Sequence, residues 1–112
     1  MILCDFPIKA FHPGVHLLED FLKPLGMKQI ELADLMGVEA TVVNSIIKGT
    51  RDVSPEIALL LAGVFGGRAD WWLRMQSAWD LQKATQDEEF TKKLARVRPA
   101  KMPGFPGLPT AV

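Results

Sequence analysis

Ala40, Thr41, Asn44 and Ser45 fall within six positions and have the types and spacing to read the edges of base pairs. The methyl groups of Ala40 and Thr41 suit a thymine methyl, and the Asn44 amide suits adenine or a phosphate. Gln29 ahead of them, and Lys48, Thr50 and Arg51 behind, supply donors for phosphate oxygens. The bland reading of all these residues is a solvated helix face. Other chemistry is thinner. His12 and His16 have the i, i+4 spacing of two ligands on a helix, but neither a nearby cysteine nor a Glu-x-x-His pattern accompanies them, so no zinc site is expected. Cys4 has no local histidine or other base to activate it. Gly66-Gly67 reads as a helix end rather than a phosphate cradle. No catalytic residue, metal or cofactor is expected, and the chain is read as a non-enzyme.

The frame that would carry the base-reading residues is Gln29 to Arg51, QIELADLMGVEATVVNSIIKGTR. Gln29, Leu32 and Ala33 open a short amphipathic helix, Gly37 stops it, and a second apolar-faced stretch with Val43, Ile46 and Ile47 ends at Gly49. Two helices crossing steeply need a small side chain where they touch, which Ala33 supplies. The turn must reverse within about three or four residues, which favours a residue free to take positive φ, and Gly37 is free. Val43 would then pack back under the first helix. Taken in order, these residues describe a helix-turn-helix, the module that sets its second helix in the DNA major groove.

Three more helices must hold that pair. Val15, Leu18, Phe21, Leu22 and Leu25 recur at helical spacing after His12-Pro13-Gly14, and Pro24 is expected to close this first helix. Ser54-Pro55-Glu56 is a strong start for the fourth: hydroxyl cap, proline in the first turn, acid at the positive end. Ile57, Leu60, Leu61 and Val64 give it an apolar face, and Gly66-Gly67 end it. A fifth helix is predicted from Ala69 to about Asp87. The expected architecture is an all-α, five-helix domain over residues 12–89, with an irregular segment at 1–11 and a basic, Pro/Gly-rich flexible tail at 90–112.

The 112 residues suit one small domain plus tails, and 48% hydrophobic residues can furnish a core. No apolar run approaches the ~18 residues of a membrane span. The start, MILCDFPIKAF, lacks a basic secretory leader, and the single cysteine fits a reducing compartment, so a cytoplasmic protein is expected. The formal net charge of +0 hides an asymmetry. Residues 1–67 carry five basic and eight acidic side chains, net −3, whereas residues 68–112 carry eight and five, net +3. A net-acidic helix-turn-helix half is a poor electrostatic footprint for DNA, since cations meeting phosphates supply most non-specific affinity.

The order of these motifs resembles the phage-repressor-like (XRE) helix-turn-helix superfamily, and within it the HigA-type antitoxins, also labelled virulence-associated protein I. The resemblance covers roughly residues 12–84 and rests on four flanking signatures. They are His12-Pro13-Gly14, Phe21-Leu22-x-Pro24-Leu25-Gly26, Ser54-Pro55-Glu56, and Trp72-Leu73-x-Met75-Gln76 followed by Asp80-Leu81. It implies a dimeric repressor, itself not catalytic, that binds its own operator and neutralises a co-encoded HigB toxin, a RelE-like ribonuclease that cuts messenger RNA. The chain departs from the pattern where the resemblance expects Ser or Thr caps: Lys28, Glu39 and Arg68 stand there, and Ala40 replaces an early arginine.

With that resemblance, the operator is expected to be a palindromic duplex bound by a homodimer. Trp71, Trp72, Met75 and Trp79 are the expected dimer contact. Adjacent tryptophans point about 100° apart on a helix, so one of Trp71 and Trp72 should pack inward and the other meet the partner. The cognate toxin is expected against the acidic, apolar start of the chain, at Ile2, Phe6, Glu19 and Asp20. Two other readings stay open: a stand-alone helix-turn-helix regulator, and a toxin-neutralising module without DNA binding.

Overall fold

A computed structural model of the chain describes residues 9–100. Among them are six helices and no strand. Helix α1 runs over residues 13–25 as Pro13–His16, a π-helical stretch Leu17–Leu22 and Lys23–Leu25. Next come α2 (Gln29–Met36), α3 (Ala40–Lys48), α4 (Pro55–Phe65), α5 (Ala69–Gln86) and α6 (Glu88–Leu94). No helix among the described residues is long and apolar enough to cross a membrane.

The all-α expectation holds, with two corrections. The first helix passes Pro24 and stops at Gly26. A proline lacks the N–H for Asp20 and its ring crowds that carbonyl. The wide turn just before it, in which the Lys23 N–H reaches back five residues to Leu18, accommodates both. The second correction is the sixth helix, which straddles the boundary expected at residue 90. Asp87 caps it, accepting from the Glu89 and Phe90 N–H groups, while Glu88 and Glu89 fill the first turn and Lys92 and Lys93 the last. Each charge sits at the end of the helix dipole that favours it.

Local chemistry sets most of the other boundaries. Ser54 accepts from the Ile57 N–H to start α4. Gly26, Gly37 and Gly49 each end a helix in the left-handed conformation. At each, the residue after the glycine returns its N–H to a carbonyl in the closing helix: Met27 to Leu22, Val38 to Ala33 and Thr50 to Ser45. At Lys28, which has no acceptor to cap with, Glu31 takes the Lys28 N–H at 2.7 Å and supplies half of a capping box.

The core forms where α1 to α5 converge, around Leu17, Leu22, Leu32, Val43, Ile46, Leu61 and Trp72. Gly14 is the tightest point. A Cβ there would overlap the Ile46 carbonyl oxygen and lie 2.9 Å from Ile47 Cα, so α1 crosses α3 at backbone distance. Two glutamines clamp the periphery. Gln82 exchanges two hydrogen bonds with the Ala10 backbone, at 2.9 and 3.0 Å, and pins the segment before α1 onto α5. Buried Gln76 accepts from the Val53 N–H at 2.8 Å and donates to Asp52 and Asp80, tying the loop after α3 to the same helix.

Candidate nucleic-acid interface

Helix α3 divides cleanly by its 3.6-residue period. Val43 and Ile46 are buried, and Val42 and Ile47 are half-buried beside them. Ala40, Thr41, Asn44, Ser45 and Lys48 form the opposite stripe: Ala40, Thr41 and Lys48 are exposed, and Asn44 and Ser45 are half-buried. Buried Ala33 lets α2 lie close beneath, and Gly37, at φ 74°, makes the reversal between the two helices. The sequence-predicted reading residues are thus brought together on one surface.

Their hydrogen bonds differ. Ser45 donates its hydroxyl to the Thr41 carbonyl at 2.8 Å, so that donor is engaged within the helix. Asn44 Nδ2 donates to Gln29 Oε1 at 3.0 Å, linking a base-reading candidate to the phosphate candidate that opens α2. The link leaves Asn44 its Oδ1 acceptor and a second N–H, the pair that a bidentate contact with adenine needs. Thr50 donates to the Ser45 carbonyl at 3.2 Å, while Lys48, at the last position of α3, and Arg51, past its end, are exposed. Glu39 precedes α3 in extended conformation and makes no side-chain capping bond. The leading N–H groups of α3 therefore present the positive end of its dipole outward, beside an acidic side chain.

The tryptophans separate as adjacent residues on a helix must. Trp72 is 1% exposed, its ring 5.3 Å from that of Phe21 and tilted 39° to it, and has no surface to offer a partner, which corrects its place among the dimer contacts. Trp71, 44% exposed, covers the edge of that cluster. Met75 is half-buried, as is Trp79, whose ring meets His12 edge-on at 6.0 Å. Glu19 and Asp20 are exposed and paired one turn along α1, with Lys23 at 2.8 Å and His16 at 3.0 Å. Ile2 and Phe6 lie outside the described residues.

Sequence reasoning weighed His12 as a metal ligand and as part of a helix start but missed its role: it is buried and caps α1, Nδ1 accepting from the Gly14 N–H at 2.9 Å. Its Nε2 is buried without a hydrogen-bond partner, 3.9 Å from Asp52. Burial lowers its pKa below the usual 6.5, and the Asp52 carboxylate opposes that in part. Gln76 and Gln82 were also missed as structural residues. Each is a polar side chain on an inward face of α5, and that position was the available clue.

A family model described as Helix-turn-helix (HTH_3) matches residues 18–72. Virulence-associated protein I of Dichelobacter nodosus is 41% identical over 80 residues, covering 71% of this chain and 74% of that protein. Antitoxin HigA-1 of Vibrio cholerae is 35% identical over 85 residues, covering 72% and 80%. Among solved structures, the antitoxin GraA in complex with its operator aligns with a TM-score of 0.77 at 30% identity, covering 85% of this chain and 95% of that one.

Proposed function

Because the chain belongs to the HTH_3 helix-turn-helix family, alongside the HigA-type antitoxins, we propose that it is a DNA-binding repressor that also neutralises a toxin. The observation that carries this is the exposed stripe of α3 on a frame shared with an antitoxin solved on its operator. Ala40, Thr41 and Asn44 read base edges, and Lys48, Arg51 and Gln29 hold phosphates on either side, whereas Thr50 gives both its hydroxyl and its amide proton to the Ser45 carbonyl. Ser45 contributes through its position in α3, its hydroxyl proton being committed to Thr41. The task is binding in the cytoplasm, with no catalytic step.

A homodimer, in contact through Trp71 with Met75 and Trp79 at its margin, presents two α3 helices about 34 Å apart to a palindromic operator. The partner protein is a HigB/RelE-like, mRNA-cleaving toxin. Exposed Glu19 and Asp20, on α1 away from α3, offer it an acidic face. The test is direct. The chain should retard DNA from upstream of its own gene, and Thr41→Ala with Asn44→Ala should abolish retardation while rescue of toxin-expressing cells persists. Retention unchanged by both substitutions would put the reading face elsewhere.

The net −3 charge of residues 1–67, with Glu39 at the head of α3, favours a second reading in which toxin neutralisation persists without DNA binding. Toxin rescue with no retardation of any upstream fragment would select it. Retardation without a toxin gene alongside would instead select a stand-alone regulator.

A further inference from the structure

Helix α6 carries an apolar stripe that the rest of the described chain leaves open. Phe90 and Leu94 lie one turn apart and are 42% and 50% exposed, and Val97, 65% exposed, follows three residues past the end of the helix. Along one flank of that pair, at 100° per residue, run Glu89 and Lys93, and Arg96 follows in the turn after the helix. Asp87, Glu89, Phe90, Lys92, Lys93 and Arg96 line one shallow depression, so the acids, the cations and Phe90 share a surface. The charges are ordered along the helix: acidic at Asp87, Glu88 and Glu89, basic at Lys92, Lys93 and Arg96.

This order is self-complementary in one direction only. Two such helices side by side and parallel would set acid on acid and cation on cation. Reversed about a two-fold axis between residues 91 and 92, Phe90 of one copy comes beside Leu94 of the other and Glu89 beside Lys93, each twice. We propose that α6 pairs antiparallel with α6 of a second copy of this chain. An isologous contact of this kind repeats every favourable pair by symmetry. Two apolar side chains per copy bury far less than the ~1,200 Å² of a standard interface, so the contact is of the weak class. It lies at the opposite end of α5 from Trp71, some 20 Å or more along an 18-residue helix. It is therefore separate from the dimer contact in the functional proposal and joins two such dimers.

The experiment is sedimentation of the full chain at concentrations up to about 100 µM, where weak contacts populate, with Glu89→Lys, Lys93→Glu and their double substitution. The mean mass of the unsubstituted chain should rise with concentration. Each single substitution should suppress the rise, because it sets like charges opposite one another. The double substitution should restore it, and so should an equal mixture of the two single variants, which places lysines of one chain against glutamates of the other. Restoration in the mixture arises only between chains, so it separates this pairing from a Glu89–Lys93 bridge within one helix. A flat mass for the unsubstituted chain, single variants that behave like it, or a mixture that stays dissociated would each overturn the pairing. Repeating the series with Trp71→Glu keeps the two contacts apart: the α6 effect should survive even if the Trp71 contact proves wrong.

Discussion

Replacing Gly14 with alanine adds one methyl group where α1 meets the backbone of α3. That methyl carbon would overlap the Ile46 carbonyl oxygen, 2.8 Å from the carbonyl carbon and 2.9 Å from Ile47 Cα. All three atoms are backbone, so no side chain can rotate away and the two helices must separate. Overpacking of this kind costs about 1–3 kcal/mol, and the upper half of that range applies where only backbone can move. Alanine's better helix propensity returns less than about 1 kcal/mol. The net loss is then roughly 2 kcal/mol, about a thirtyfold drop in the folding constant, or a Tm lower by roughly 10 °C for a domain of this size. Gly63→Ala is the matched control, since a Cβ there meets nothing within 4 Å inside α4. The same chemical change should stabilise the protein by up to about 1 kcal/mol. Urea unfolding of both variants, with operator retardation measured where both are folded, reads the contrast. Gly14→Ala should also weaken operator binding, because α3 is the helix it displaces. A Gly14→Ala protein as stable as the parent would refute the close crossing of α1 and α3.

Stability should fall with acid through His12. Its folded pKa lies below the 6.5 of the unfolded chain, so protons favour the unfolded state, and the loss begins as pH drops through about 6.5. His12→Asn keeps a capping acceptor without a titrating ring; a urea midpoint whose change between pH 7.5 and 5 matches the parent's would count against this. Gln76→Leu strands the buried Val53 N–H and should cost about 1–3 kcal/mol, read as a lower Tm. Trp72→Ala should cost about 3–5 kcal/mol, whereas Trp71→Ala should cost far less and act on assembly mass, so equal losses would refute the inward–outward split. Asn44→Ala should cost about 1–3 kcal/mol at one operator position, and Gln29→Ala should relax preference at that same position if their hydrogen bond holds the Asn44 amide in place.

The sequence by itself determined what depends on neighbours in the chain. Helix starts at Pro13, Gln29, Ala40, Pro55 and Ala69, and ends at Gly37, Gly49 and Gly66, were legible because caps, first-turn prolines and terminal glycines act within about four residues. Helix α6 was legible on the same grounds, in the Asp87 cap and its ordered charges, but the prolines beyond Arg98 outweighed it in the reading. The α3 stripe followed from the period alone. Only the tertiary structure decided which tryptophan turns inward, because a 100° offset separates Trp71 from Trp72 but does not say where the core lies. The same holds for His12, Gly14, Gln76 and Gln82. Their partners are Asp52, Ile46, Val53 and Ala10, which lie 40, 32, 23 and 72 positions away in the chain. A polar side chain's partner is chosen by how helices cross, and no local pattern records that crossing.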